Sequence, residues 1–146
     1  MLIAAALVVG YTLFVRAPEP ATDKAHSSIT ERSTGSADAV IAEAFSNRRS
    51  NIQVSGTGVV TKLLPDDNSG SRHQRFILRF SPEQTLLISH NIDLAPRIES
   101  LREGDSVRFY GEYEWSKKGG IIHWTHKDPN GSHVDGWLEH KGQRYQ

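Results

Sequence analysis

The densest group of side chains that could do chemistry lies near the carboxyl end of the 146-residue chain and contains His123, His126, Asp128 and His133. Neutral imidazole and carboxylate are common ligands of zinc, iron and manganese, so these residues predict a divalent metal site. On a straight strand, side chains three positions apart point to opposite faces. His123 and His126 can therefore share an ion only if the strand ends between them. The alternative is structural, with His123 as a half-buried hydrogen-bonding residue and His126 at a turn.

A second group, containing Arg72, His73 and Arg75, stands at the start of a predicted strand. Alternation places His73 and Arg75 on one face of that strand. Guanidinium groups beside an imidazole can hold a phosphate or a carboxylate through charge-assisted hydrogen bonds, which predicts an anion site. The alternative is a solvated sheet face with surface ion pairs.

A third group lies in the segment HNIDLAPR, in which His90, Asp93 and Arg97 are candidate ligand-binding residues. Loops on small β scaffolds often carry function, although Asp93 can instead shape the turn by binding nearby backbone. Trp124 adds a flat surface on which a base or a sugar could stack. Glu112 and Glu114 would serve as acid and base if they were buried together, but such residues more often face solvent or pair with Arg108.

The composition excludes several classes of function. Seventeen Lys and Arg balance seventeen Asp and Glu, and from Asn51 onward there are twelve of each. Proteins that coat nucleic acid usually carry a basic excess, so bulk nucleic-acid binding is disfavoured. The absence of cysteine excludes disulfides, thiolate metal sites and a cysteine nucleophile. No Ser-His-Asp spacing, phosphate-binding glycine loop or dinucleotide fingerprint is present.

The chain begins with an apolar segment that is followed by a polar one. Residues 1–16 are almost entirely apolar and have no basic residue at their start, which predicts a membrane anchor or an uncleaved signal. Residues 17–35 are rich in Pro, Ser, Thr and acidic residues and predict a flexible linker. Residues 36–146 are then expected to form one domain, anchored to the inner membrane on its extracytoplasmic side or exported.

Hydrophobic periodicity predicts a mainly β domain with one short α-helix at its start. Ser36 is a suitable N-cap, and Val40, Ile41, Ala44 and Phe45 recur at helical spacing. From Ile52 the period changes to two, and apolar residues alternate cleanly over residues 75–80 and 107–115. Short strands over the last 95 residues predict a small OB-like coiled barrel, and a small β-sandwich is the alternative.

Several long strings in this domain resemble a bacterial family that is catalogued as a domain of unknown function. They are LPDDNSGSRHQRFIL with its RHQRF motif, HNIDLAPR, GDSVRFYGEYEW with its GEYEW motif, and GGIIHWTHKDPNGSHVDGW, which fits GGxIHWTHxDP. The resemblance covers residues 37–145. It implies a small, predominantly β domain, often behind an N-terminal hydrophobic segment, and it assigns no catalytic residue.

The favoured hypothesis is a membrane-tethered extracytoplasmic domain that binds a small or oligomeric anionic ligand in a cleft. The residues expected to line that cleft or bind the ligand are His73, Arg75, His90, Asp93, Arg97, His123, Trp124 and His126. The first alternative is a metal-dependent hydrolase, similar to a phosphodiesterase or nuclease. There zinc or manganese, held by His123, His126 and Asp128 or His133, would activate water. The second alternative is a structural interaction module of the cell envelope.

Overall fold

The computed structural model describes the backbone of residues 27–146 and the side chains of residues 37–146. The predicted anchor, residues 1–16, lies outside the described residues. Helix α1 spans Ser27–Ser46 and therefore begins within the stretch predicted as a linker, well before the predicted N-cap at Ser36. Among the described residues, none of the helical structure is long and apolar enough to cross a membrane.

Seven strands follow the helix, and the prediction of a mainly β domain is confirmed. They are β1 (Ile52–Asp67), β2 (His73–Ser81), β3 (Gln84–Asn91), β4 (Ser106–Glu114), β5 (Ile121–His123), β6 (Trp137–His140) and β7 (Gln143–Tyr145).

The first five strands form a closed ring within a single sheet. Their order is β1-β2-β3-β5-β4, and β4 pairs again with β1. Closure depends on the length of β1, whose sixteen residues pair first with β4 and then with β2. The pairings are antiparallel except for the one between β3 and β5, which is parallel. Strands β6 and β7 extend the sheet from β4.

The core lies inside this ring. The predicted inward positions Phe76 and Leu78 of β2 are fully buried, as are Phe109 and Tyr113 of β4. Helix α1 buries Ile41 and Ala44 against the same cluster, which confirms those two positions of the predicted helical stripe, whereas Val40 is 43% exposed. The indole N–H of Trp115 donates to the Phe45 carbonyl at 3.1 Å and fixes the end of the helix to the sheet.

The directions of the strands divide the loops between the two ends of the ring. Strand β2 begins where β3 and β5 end, so His73, Asn91 and His123 lie at one end. The β2–β3 turn and the loop of residues 115–120 lie at the other end. This arrangement places the side chains of distant sequence segments on common surfaces.

Candidate functional site

A cleft with a volume of about 250 Å³ lies at the end of the ring where β2 begins, and we call it the histidine cleft. It is lined by Ser71, His73, Ser89, Asn91, Leu94, His123, Trp124 and His126. His73 belongs to one of the groups predicted from the sequence, whereas His123, Trp124 and His126 come from another part of the chain. The structure brings these four candidates together.

Strand register explains why these residues meet. His73 pairs with Asn91 across the β2–β3 ladder, and Arg75 pairs with Ser89. The parallel pairing of β3 with β5 places Ile88 beside Ile122, so the next residue on each strand, Ser89 and His123, falls on the outward face. The cleft is therefore built on three adjacent strands.

Strand β5 ends at His123, and the chain then turns sharply at Trp124. Trp124 has a φ of 54°, a left-handed conformation that is uncommon for a bulky side chain. The turn lets His123 and His126 line the same cleft although they are three residues apart. Gly136 supports it, because its N–H donates to the His126 carbonyl at 2.9 Å and a Cβ on it would overlap the Trp124 carbonyl oxygen.

The tautomers of two cleft histidines follow from their backbone partners. His73 Nδ1 lies 2.8 Å from the Ser71 carbonyl oxygen, and His126 Nδ1 lies 2.7 Å from that of Lys127. A carbonyl only accepts, so each Nδ1 carries a proton and donates it. In the neutral ring Nε2 then has a lone pair, and in the charged ring it becomes a second donor. Both rings are thus held in fixed orientations.

A carboxylate stands beside the cleft, between two histidines. Glu112 Oε2 lies 2.7 Å from His133 Nε2, and Glu112 Oε1 lies 3.4 Å from His123 Nε2. Glu112 had two expected roles, as an acid or base and as a surface residue paired with a neighbouring cation. Its side chain is 16% exposed, and Arg108 pairs with Glu139 instead. His123 Nε2 is buried, has no hydrogen-bond partner among the described residues and lies 3.6 Å from Glu114 Oε2.

The partners of His133 favour its charged form. Its Nδ1 lies 2.8 Å from the Val134 carbonyl oxygen and its Nε2 faces Glu112, so both ring nitrogens face acceptors. Burial works to lower the pKa of His133, but the hydrogen bonds to Glu112 and Val134 outweigh it and raise the pKa above the usual value. The ring of His133 stacks on Trp124 with centroids 4.0 Å apart, which ties this ion pair to the wall of the cleft.

His90 lies beneath the cleft rather than on its surface, because its side chain is fully buried. The Pro96 carbonyl, 3.1 Å away, accepts from His90 Nε2–H, and Nδ1 accepts from the Thr125 hydroxyl at 2.8 Å. Burial lowers the pKa of His90 to about 4, so the ring is neutral at physiological pH. The predicted role of His90 in direct ligand contact does not fit this position, and its bond to Thr125 instead supports the turn after β5.

Three other predicted ligand-binding residues are engaged in contacts elsewhere and do not line the cleft. Arg97 Nη1 donates to Asp66 Oδ1 at 2.6 Å, and the Asp66 carboxylate raises the pKa of Arg97. Asp93 accepts from the backbone N–H and the Nε–H of Arg72, which lowers the pKa of Asp93. Arg75 donates twice to the Pro65 carbonyl, with both distances 3.1 Å.

The four predicted metal ligands are not gathered around one point. Asp128 accepts from the backbone N–H groups of Asn130, Ser132 and His133, which hold its loop and lower its pKa. Within the part of the chain that the structure describes, no group of three or more His, Asp or Glu side chains is arranged to hold a metal ion. Metal-assisted hydrolysis stays a prediction.

Some cleft residues were missed by sequence reasoning. Ser89 and Asn91 share the outward face of β3, and the alternation of that strand was a signal for both, since they alternate with the buried Ile88 and His90. Ser71 and Leu94 lie in loops and carry no such signal. Their position depends on the N–H of Ile92, which donates to the Arg72 carbonyl at 2.9 Å and joins the two loops.

Comparison with known proteins identifies the family of this chain. Among curated proteins, none matches this chain. One family model matches residues 24–146, and its description is "Protein of unknown function (DUF3465)". The match agrees with the resemblance to a domain-of-unknown-function family and extends across the whole domain. The chain therefore belongs to the DUF3465 family.

Proposed function

We propose that this domain binds a small ligand, or one end of a longer ligand, through an anionic group placed in the histidine cleft. The observation that carries the proposal is the convergence of His73 from β2 with His123 and His126, which lie much later in the sequence. Structural demands of the core do not explain this convergence, because the core residues occupy the alternate, inward positions of the same strands.

The chemistry of the cleft suits an oxyanion. Its lining includes three imidazoles, two serine hydroxyls and one amide, and it includes no carboxylate. Charged imidazoles, hydroxyls and amide N–H groups all donate hydrogen bonds to carboxylate or phosphate oxygens. The volume of about 250 Å³ is slightly below the usual range for a whole drug-sized ligand, so a single group or one sugar unit fits best.

The fold that we propose for this domain also favours the histidine cleft as the binding surface. We propose that the closed ring is an OB-like coiled barrel, because five strands close in the order β1-β2-β3-β5-β4. Barrels of this type bind ligands on the face of strands 2 and 3 and with the loops that flank it. Ser71 lies in the β1–β2 loop, and His73 and Ser89 lie on that face. This correspondence is an analogy between folds and adds to the argument from the residues.

We also propose that the domain is tethered outside the cytoplasm by the apolar segment at residues 1–16, as its sequence suggests. Cell fractionation tests this proposal. The full chain should be found with the inner membrane and should be digested when protease is added to spheroplasts. A chain that is protected from protease in intact spheroplasts would contradict it.

Calorimetric titration tests the binding proposal. Glucuronate is a suitable probe, because it joins a carboxylate to a ring of hydroxyl groups, and citrate and acetate complete the panel. We expect wild-type protein to bind at least glucuronate, and His73→Ala to weaken binding about tenfold, the loss of one charge-assisted hydrogen bond. Lys62→Ala, an exposed change on β1, is the control and should bind as wild type does. Equal affinity of His73→Ala and wild type, or no binding by the panel, would contradict the proposal.

A further inference from the structure

A second, larger cavity lies at the opposite end of the ring from the histidine cleft, and we call it the basic cavity. Its volume is about 540 Å³. The last turn of α1, the β2–β3 turn and the loop after β4 form its walls. Neither the sequence motifs nor the proposed function uses this part of the molecule.

The basic cavity carries an excess of positive charge. Arg79, Lys117 and Lys118 line it, against the single carboxylate of Glu83. All three cationic side chains belong to exposed residues. Within residues 37–146, none of the three forms an ion pair. The chain as a whole is neutral, so this local excess is not a consequence of its composition.

The loop that presents the two lysines is held firmly against the sheet. The Gly119 carbonyl accepts from Tyr113 Oη at 3.1 Å and from Gln84 Nε2 at 2.8 Å, and both side chains are buried. Gly119 has a φ of 120°, and a Cβ on it would overlap the Thr85 carbonyl oxygen. Only glycine fits there, because the loop passes so close to β3. A loop fixed in this way loses little entropy when a ligand binds.

The remaining walls are partly apolar. Ala42 and Phe45 of the helix and Pro82 of the turn line the cavity together with the cations. The volume of about 540 Å³ is in the usual range of small-molecule sites. A ligand that carries both an anionic group and a ring would match both kinds of lining residue. Arg and Lys are the side chains that proteins most often use to bind phosphate, and the cavity has one guanidinium and two ammonium groups.

We propose that the basic cavity is a second binding site, for a phosphorylated small molecule that carries a ring. Its phosphate is held by Arg79, Lys117 and Lys118, and its ring packs on Phe45 and Pro82. This site is separate from the histidine cleft and does not depend on the function proposed there. The same phosphate chemistry occurs on lipid headgroups, so the experiment includes both sources.

The test is a titration of the full chain followed by amide NMR at constant ionic strength. Phenyl phosphate is the main probe, and inorganic phosphate shows the contribution of the ring. We expect the amide signals of Gly119 and Thr85 to shift in a saturable manner, with tighter binding of phenyl phosphate than of inorganic phosphate. Lys117→Gln/Lys118→Gln should weaken binding of phenyl phosphate about fivefold or more.

Lys62→Gln/Arg102→Gln is the matched control, because it removes two positive charges at exposed positions away from the cavity. It should bind phenyl phosphate as wild type does. Equal affinity of the two double variants, or shifts that sodium chloride also produces, would overturn the proposal. Binding to phosphatidylglycerol vesicles without binding of phenyl phosphate would overturn it as well, and would assign the surface to lipid.

Discussion

Glu112 Oε2 lies 2.7 Å from His133 Nε2, and this ion pair lies beside the histidine cleft, next to Trp124. The Val134 carbonyl occupies the other nitrogen of the same ring. His133 also stacks on Trp124, so the ion pair helps to hold the indole in place. The left-handed turn at Trp124 is therefore supported from two directions, by this stack and by the close approach of Gly136.

The first prediction concerns the pH dependence of this pair. Since the pKa of His133 is raised, the pair stabilises the fold fully below the unfolded value of about 6.5 and loses that effect as pH rises through the folded pKa. Glu112→Gln should therefore lower the free energy of unfolding by about 1 kcal/mol more near pH 6 than near pH 9. Urea denaturation at the two pH values measures it.

Glu114→Gln is the control for this experiment. Glu114 is on the same face of β4, but its side chain is 52% exposed and lies 3.6 Å from His123 Nε2 without a hydrogen bond. Its substitution should change stability little at either pH. An effect of Glu112→Gln that is equal near pH 6 and near pH 9 would refute the charged state assigned to His133.

The second prediction concerns acid stability. Burial lowers the pKa of His90 to about 4, so the unfolded chain takes up a proton more readily than the folded one between about pH 6.5 and pH 4. Because of this proton uptake, the free energy of unfolding of wild type should fall by about 2 kcal/mol between about pH 7.5 and pH 5. His90→Gln should be less stable at the higher pH but show a shallower loss. Equal slopes for the two proteins would contradict this role of His90.

The alternation of side chains allowed much of the β structure to be predicted. Phe76, Leu78, Phe109 and Tyr113 all face the core as expected, because inward and outward positions alternate along any strand. The strand pairing that closes the ring was harder to predict from the sequence, because closure depends on the parallel pairing of β3 with β5. The two strands are separated by about thirty residues, and no local pattern specifies such a pairing.

The sequence predicted one cleft containing His73, His123, Trp124 and His126, and the structure places these four side chains together. His73 and His126 were both identified by residue type, but their meeting depends on the closed ring and on the turn at Trp124. The loss of Arg97 from the site has a similar reason. Its ion pair with Asp66 joins the β3–β4 loop to the end of β1, 31 residues away, and sequence spacing does not show which acidic residue a guanidinium will meet.

The third prediction uses Gly136 to displace the turn. A Cβ there would overlap the Trp124 carbonyl oxygen, which is backbone and cannot rotate away. Gly136→Ala should therefore shift the NMR signals of Trp124 and His126 and weaken binding in the cleft. Gly142→Ala is the matched glycine control, because its φ of 78° makes it strained but nothing lies within 4 Å. Unchanged NMR signals and unchanged ligand binding in Gly136→Ala would contradict the role of Gly136 in holding the turn.

The fourth prediction separates loop contacts from core contacts. Arg97→Ala should lower the free energy of unfolding by only about 1 kcal/mol, because the ion pair of Arg97 with Asp66 is only partly shielded from water. Phe109→Ala should cost roughly 3–5 kcal/mol, because it leaves a cavity in the core. Chemical denaturation of the two variants measures both. A cost for Arg97→Ala as large as that for Phe109→Ala would mean that the ion pair is a principal support of the fold.

The most direct test of the central claim is to map where an anionic ligand binds. Histidine ring signals should be followed by NMR while glucuronate is added to wild-type protein. If the ligand binds in the histidine cleft, the His73, His123 and His126 rings should shift in a saturable manner. The ring of His140, which is bonded to Asp105 Oδ2 at 2.8 Å and pairs with Val107 near the opposite end of β4 from His123, should stay unchanged. Saturable binding that leaves the three cleft rings unmoved would contradict the claim.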